Sequence, residues 1–413
     1  MRRVVFAAYG GFDFSMISPV FAWLRRKRYE LAIMNRYDLA PSPEQLSGLT
    51  VFQPPDVSDR LLSTEEIERA LPTFLDTRSL QHVIPLWRGR TPGLRYLVGW
   101  RDHYALFADE TLRRYDPDLL VLSLGEAETA IIRRVCERTS RRYACLVPQR
   151  YEFKSIETFE IHEMATYLVA GEYGRERLLK KGVKPDRVLV TGNPRFDRLA
   201  RVRAGRARSV EAGILGGART RAGGNRPRGP GGSILYPLQD VPTEGRLVAL
   251  LRRYVASRPG VRLVLRPHPN RPADSWEAVS REALHARVSV APRGSLSRLL
   301  GAADVLVTSW SLTTLEALIA GVPVISWKSD FFPEELPFAT RGDTLPAHTY
   351  TELEEALDRL LFDREFHAAW VGGHREAHAP YVGVLDGNAA RRVAGAIATL
   401  AAGGTGELHS ASL

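Results

Sequence analysis

Two cysteines, Cys136 and Cys145, are all that 413 residues contain, which excludes a disulfide framework and a cysteine zinc site. No run reaches the about 18 apolar residues of a helical membrane span, because Arg, Glu or Asp interrupts each candidate. The run Val4-Val5-Phe6-Ala7-Ala8 behind two arginines is too short for a signal peptide, and Pro19 to Arg28 reads on as helix. His374 and His378 form an H-x-x-x-H pair without the glutamate of H-E-x-x-H or a third ligand. No metal and no other cofactor is expected. These absences leave a cytoplasmic chain of enzyme size.

What is present is ordinary globular composition, 44% hydrophobic and 25% charged, with length for two or three domains. The net charge is +10, and residues 201–233 supply eight arginines against one glutamate. That segment is rich in Gly, Arg and Ala and has no hydrophobic period, so it reads as a flexible linker over 201–232. A first domain is expected over 1–200, a second over 233–385, a terminal helix over 386–402 and a disordered tail over 403–413. The basic tract also admits a non-catalytic nucleic-acid binder, although no nucleic-acid partner is expected.

Each half alternates short β-branched runs with amphipathic stretches. Arg3 to Ala8, Leu31 to Met34, Asp118 to Ser123 and Tyr143 to Val147 read as strands, as do Ser233 to Tyr236, Arg262 to Arg266 and Val305 to Thr308. Apolar strands separated by helices indicate parallel sheets covered on both faces. The expected fold is α/β, two Rossmann-like domains facing across a cleft, with ligands at the carboxyl ends of the strands.

The most informative stretch is ADVLVTSWSLTTLEALIAGVPVISW, Ala303 to Trp327. A strand ends at Thr308, and Ser309, Ser311, Thr313 and Thr314 fill the turn into a helix. Thr313 with Glu316 has capping-box spacing, and a helix start with several hydroxyls suits a phosphate. This stretch resembles the nucleotide segment of GT-B glycosyltransferases. The resemblance implies a diphosphate held by the hydroxyl turn and a ribose held by Glu316. A Glu that retaining members carry eight positions earlier is replaced by Thr308, which points to an inverting enzyme.

Three further segments, VTGNPRFD at 190–197, LRPHPN at 265–270 and DGNAARRV at 386–393, resemble the branch of CDP-glycerol glycerophosphotransferases and capsule-type transferases. More distantly they resemble nucleotide-sugar 2-epimerases. His268, between two prolines at a strand end, is a candidate to protonate a leaving phosphate, with Arg266 as its bidentate contact. In the first half, Gly10 and Gly11 permit close approach to a ligand, and Asp13 is a candidate base. Glu126, which stands where epimerases carry Asp after Gly, is the other candidate base. Gln149 lies in a loop where glycerophosphotransferases carry His-Gly and epimerases Glu; it cannot act as a base and is expected to bind substrate. The absence of Ser-Gly-Gly at the phosphate turn also weighs against the epimerase.

The resemblance therefore implies a metal-independent, inverting GT-B transferase. It would move a sugar or glycerol phosphate from a UDP- or CDP-linked donor to a glycan or lipid-linked acceptor in bacterial cell-envelope polysaccharide biosynthesis. Association with the inner membrane face is part of that expectation. The alternative of the same fold is a nucleotide-sugar 2-epimerase, which needs no acceptor.

Overall fold

The computed structural model describes residues 1–7, 11–34, 46–52, 105, 107–123, 127–148, 161, 165–200, 202–203, 231–238, 244–267, 287–291, 295–309, 311–327 and 337–404. They form two compact units, one of Met1–Arg195 with Tyr381–Leu413 and one of Phe196–Pro380.

The first unit holds a seven-stranded parallel sheet. Its strands are β1 (Arg3–Ala7), β2 (Glu30–Met34), β3 (Thr50–Phe52), β4 (Leu119–Ser123), β5 (Tyr143–Leu146), β6 (Thr166–Val169) and β7 (Val188–Val190). The order across the sheet is β3-β2-β1-β4-β5-β6-β7, every pairing parallel, with Val4 opposite Leu31 and Leu119. The strands are near-continuous apolar runs because both faces of the sheet are covered. Val5 and Ala7 face a core shared with Leu120, Leu122 and helix α2 (Ala127–Arg138). Val4 and Phe6 face the opposite core, built with helix α1 (Gly11–Arg26) and the last helix, α9 (Ala389–Ala401). Each fully buried Val, Leu or Phe contributes about 1.5–3 kcal/mol of transfer free energy, so both faces drive folding.

Helix α1 corrects the expectation that Pro19 opens it. The helix begins at Gly11 and runs through Pro19. Proline there gives up one backbone hydrogen bond, but Phe14, Ile17, Phe21 and Leu24 form one buried stripe across it. Helix α9 returns to this unit from the far end of the chain. Tyr29 Oη donates to the Ala398 carbonyl at 3.2 Å and Arg142 Nη1 to that of Leu400 at 3.1 Å.

The second unit holds a six-stranded parallel sheet of β8 (Ser233–Pro237), β9 (Arg262–Arg266), β10 (Val288–Val290), β11 (Val305–Thr308), β12 (Val324–Trp327) and β13 (Leu345–Ala347). The order is β10-β9-β8-β11-β12-β13. Helices α4 (Glu244–Ser257) and α7 (Tyr350–Phe362) cover one face through Leu247, Leu251, Leu353 and Leu357. They are joined by Asp358, which accepts from Tyr254 Oη at 2.7 Å and from Arg258 Nη2 at 2.8 Å.

Of the expected linker, the described residues are 202–203 and 231–232. Arg203 is helical and donates to Glu376 at 2.5 Å and to the Arg375 carbonyl at 2.8 Å. Gly231 sits where a Cβ would fall 2.1 Å from the Gly260 carbonyl oxygen, so the approach to β8 requires glycine.

Candidate functional site

The described part of the candidate site is the turn from β11 into helix α6 (Thr313–Ala320) in the second unit. Strand β11 is central and buried on both faces, and Thr308 at its end is 1% exposed. The chain then turns through Ser309 and Ser311, both partly exposed. Ser311 Oγ donates to Thr313 Oγ1 at 3.0 Å and accepts from the Thr313 N–H at 3.2 Å. The Thr314 N–H donates to the Ser311 carbonyl at 3.0 Å. The capping box expected between Thr313 and Glu316 is therefore not formed. Leu312, already in helical backbone conformation, occupies the cap position without a side-chain bond. Ser311 serves the first turn instead, because a hydroxyl two residues ahead reaches the Thr313 N–H directly.

Two donors of the first helical turn are thus satisfied within the turn. What the turn offers an anion is a pair of mutually bonded hydroxyls, each able to rotate toward a ligand. Thr314 and Glu316 lie on the inward side at 2% and 6% exposure. A carboxylate in the first turn also faces the positive end of the helix dipole. Gly321 closes the helix in left-handed conformation, φ 68°, as its C-terminal cap requires.

Arg266 ends β9, which β8 separates from β11. Its Nη1 donates to the Ala291 carbonyl at 2.6 Å, at the end of neighbouring β10. The structure therefore brings together Ser309, Ser311, Thr313, Thr314 and Glu316, and ties Arg266 toward the opposite side of its strand. In the first unit, α1 begins at Gly11, which places Asp13 in its first turn rather than in a loop. Gly10, Glu126, Gln149 and His268 lie outside the described residues.

The histidine pair does not converge. His374 stacks on Trp370 at 3.9 Å between ring centroids, and Nε2 reaches the Gly342 carbonyl at 3.0 Å. His378 is buried against Arg203, whose Nη1 lies 2.6 Å from Nε2. Burial, then the Arg203 charge, lower the His378 pKa to about 4. Cys136 and Cys145 are buried thiols, and burial raises Cys136 to about 12 and Cys145 further still.

Two parallel α/β sheets in sequence-separated units, with a hydroxyl-rich turn at a strand's carboxyl end in the second, define a GT-B-like architecture. No protein-family model and no curated protein matches the chain. Among solved structures it is similar to a Listeria monocytogenes protein assigned as a UDP-N-acetylglucosamine 2-epimerase. The identity is 16%, the coverage 96% of each chain and the TM-score 0.62. It is also similar to the Neisseria meningitidis UDP-GlcNAc 2-epimerase bound to UDP-GlcNAc (12%, 96% of this chain and 100% of that one, 0.61). The S. aureus MnaA–UDP structure is comparable (13%, 97% and 96%, 0.60).

These similarities correct the functional expectation. The transferase reading rested on short motifs and on two missing epimerase signatures, whereas the fold follows UDP-GlcNAc 2-epimerases over nearly the whole chain. Four local motifs shared by a superfamily discriminate its branches poorly. The resemblance to glycerophosphotransferases in particular finds no counterpart among these structures.

Proposed function

We propose that the chain is a nucleotide-sugar 2-epimerase acting on a UDP-linked sugar. One observation carries the reading: a fold shared end to end with UDP-GlcNAc 2-epimerases, with a hydroxyl turn and the buried Glu316 at the carboxyl edge of the second sheet. In open parallel sheets that edge is where ligands bind.

Inverting C2 of a nucleotide sugar breaks and remakes a C2–H bond. With no adjacent carbonyl, that carbon releases its proton as the C1–O bond to the diphosphate breaks and a C1–C2 double bond forms; the diphosphate then adds back at C1 and a proton at the opposite face of C2. Groups that hold the diphosphate then stabilise the charge that develops, the largest single source of rate enhancement. In this reading Ser309, Ser311, Thr313 and Thr314 hold the diphosphate, Glu316 holds the ribose hydroxyls and Arg266 turns from Ala291 to the phosphate. The proton falls to Glu126, Asp13 or His268, since Gln149 cannot carry it.

The test is UDP-GlcNAc in deuterium oxide with no acceptor, followed by proton NMR. The expected result is the C2 epimer carrying deuterium at C2. Sugar that moves only when a glycan acceptor is added, with no exchange at C2, would overturn the reading.

A further inference from the structure

In the sequence, the positive charge looks concentrated in residues 201–233. Folding creates a second concentration that no single segment reveals. All seven strands of the first sheet run parallel, so the segments that precede them gather at one edge, opposite the carboxyl ends where parallel sheets bind ligands. Segments 1–3, 25–30, 113–118, 137–142 and 180–187 lead into β1, β2, β4, β5 and β7. Together they hold fifteen Lys or Arg against five Asp or Glu. This edge alone therefore has an excess of ten positive charges, as large as that of the whole chain, and the rest apart from 201–233 is net acidic.

Most of these cations face water. Arg2, Arg26, Lys27, Arg28, Arg138 and Lys184 are exposed, and among the described residues none of the six is joined to a carboxylate. The pairs on this edge are few: Arg3 with Glu30 at 3.9 Å and Arg141 with Asp116 at 3.0 Å, while Arg113 and Arg114 pair along their own helical segment with Asp109 and Glu110. From β2 to β7 the edge crosses five strand spacings, about 24 Å at about 4.8 Å each. That is a broad front of charge, not a point site for one phosphate.

From this juxtaposition we propose that the amino edge of the first sheet docks on an anionic lipid surface. Two features favour lipid over nucleic acid. Met1, 83% exposed, adds an apolar group to the front. Single-stranded nucleic acid needs exposed aromatic faces for stacking, whereas Tyr115 on this edge is buried and Tyr29 is half-buried with its hydroxyl bonded to Ala398. Each cation held at an anionic membrane multiplies binding about fivefold. Docking by this edge leaves the carboxyl ends of the strands turned away from the bilayer.

The experiment is co-flotation of the full chain with phosphatidylcholine vesicles and with vesicles one-third phosphatidylglycerol. It compares the native protein with an edge variant (Arg26→Glu, Lys27→Glu, Lys184→Glu) and a segment variant (Arg206→Glu, Arg208→Glu, Arg219→Glu). Circular dichroism confirms that each is folded. The expected result is binding to the anionic vesicles only, weakened at least tenfold by raising salt from about 0.1 to about 0.5 M and at least tenfold in the edge variant, with the segment variant close to native. Binding lost in the segment variant and retained in the edge variant would overturn the proposal. So would no vesicle binding, or retention on a DNA duplex in its place.

Discussion

Arg392 donates from Nε to the carbonyl of Thr191 at 3.0 Å, joining two motifs that lie 201 residues apart. The same guanidinium holds both oxygens of Asp386 at 2.9 Å and the Val384 carbonyl at 2.9 Å. One side chain thus closes the end of β7 onto the start of α9 within the first unit. Replacing it removes all four bonds at once, three of them at an exposed edge, and leaves Asp386 only its bonds from Asn388; hydrogen bonds to charged groups are worth about 1.5–3 kcal/mol each, less where solvent screens them. Arg392→Ala should lower stability by about 2–4 kcal/mol in urea unfolding. Arg392→Lys should recover only part of that, because an ammonium cannot form the fork.

Asp386 makes this clasp pH-dependent. Burial acts to raise its carboxyl, but the Asn388 N–H and the Arg392 guanidinium outweigh burial and hold it below the ordinary carboxylate range. The contribution is present above the unfolded pKa near 4 and lost as pH falls through the lower folded value. Asp386→Asn should flatten the acid limb of a stability–pH curve below about pH 4.

Gly192 and Gly182 separate backbone strain from crowding. Both have positive φ, 79° and 97°. A Cβ at Gly182 would meet nothing within 4 Å, whereas one at Gly192 would lie 2.9 Å from the Ala389 Cβ. Gly182→Ala should cost about 1–2 kcal/mol for the left-handed conformation alone. Gly192→Ala should cost clearly more, read as a larger fall in denaturation midpoint.

His378 titrates in a different window. Its folded pKa is about 4 against 6.5 for the free group, through burial and then the Arg203 charge. The unfolded chain therefore takes up a proton first as pH falls, and stability is lost between pH 6.5 and 4, by about 3 kcal/mol in all. His378→Gln should remove this loss while leaving the lower Asp386 limb in place.

Glu316 links the fold to the proposed chemistry. Glu316→Gln keeps the shape of a residue that is 6% exposed but removes the charge that would accept from ribose hydroxyls. UDP affinity by calorimetry should fall at least tenfold, since hydrogen bonds to a charged group are worth about 1.5–3 kcal/mol, with the unfolding midpoint changed far less. Unaltered UDP affinity would remove Glu316 from the site.

Local pattern alone determined much of this protein. Runs such as Val4–Ala7 and Leu119–Ser123, apolar on both faces, specify buried parallel strands, because only helices on each side can cover them. The hydroxyls at Ser309 to Thr314 mark the turn for the same reason, since short polar side chains serve a helix start. Where local signals competed, packing decided: Pro19 reads as a helix start, yet the buried stripe from Phe14 to Leu24 carries the helix through it. Ser311, one residue ahead of the cap position, serves the first turn in place of Thr313, because turn geometry, invisible in a spacing rule, sets which hydroxyl reaches the N–H. The likeness in fold to UDP-GlcNAc 2-epimerases over nearly the whole chain and the front of positive charge became visible only in the tertiary structure. Contacts such as Arg392 with Thr191 and Arg203 with His378 depend on residues remote in sequence. The basic edge exists because parallel pairing gathers five separate segments at one end of a sheet, and no window along the chain contains them together.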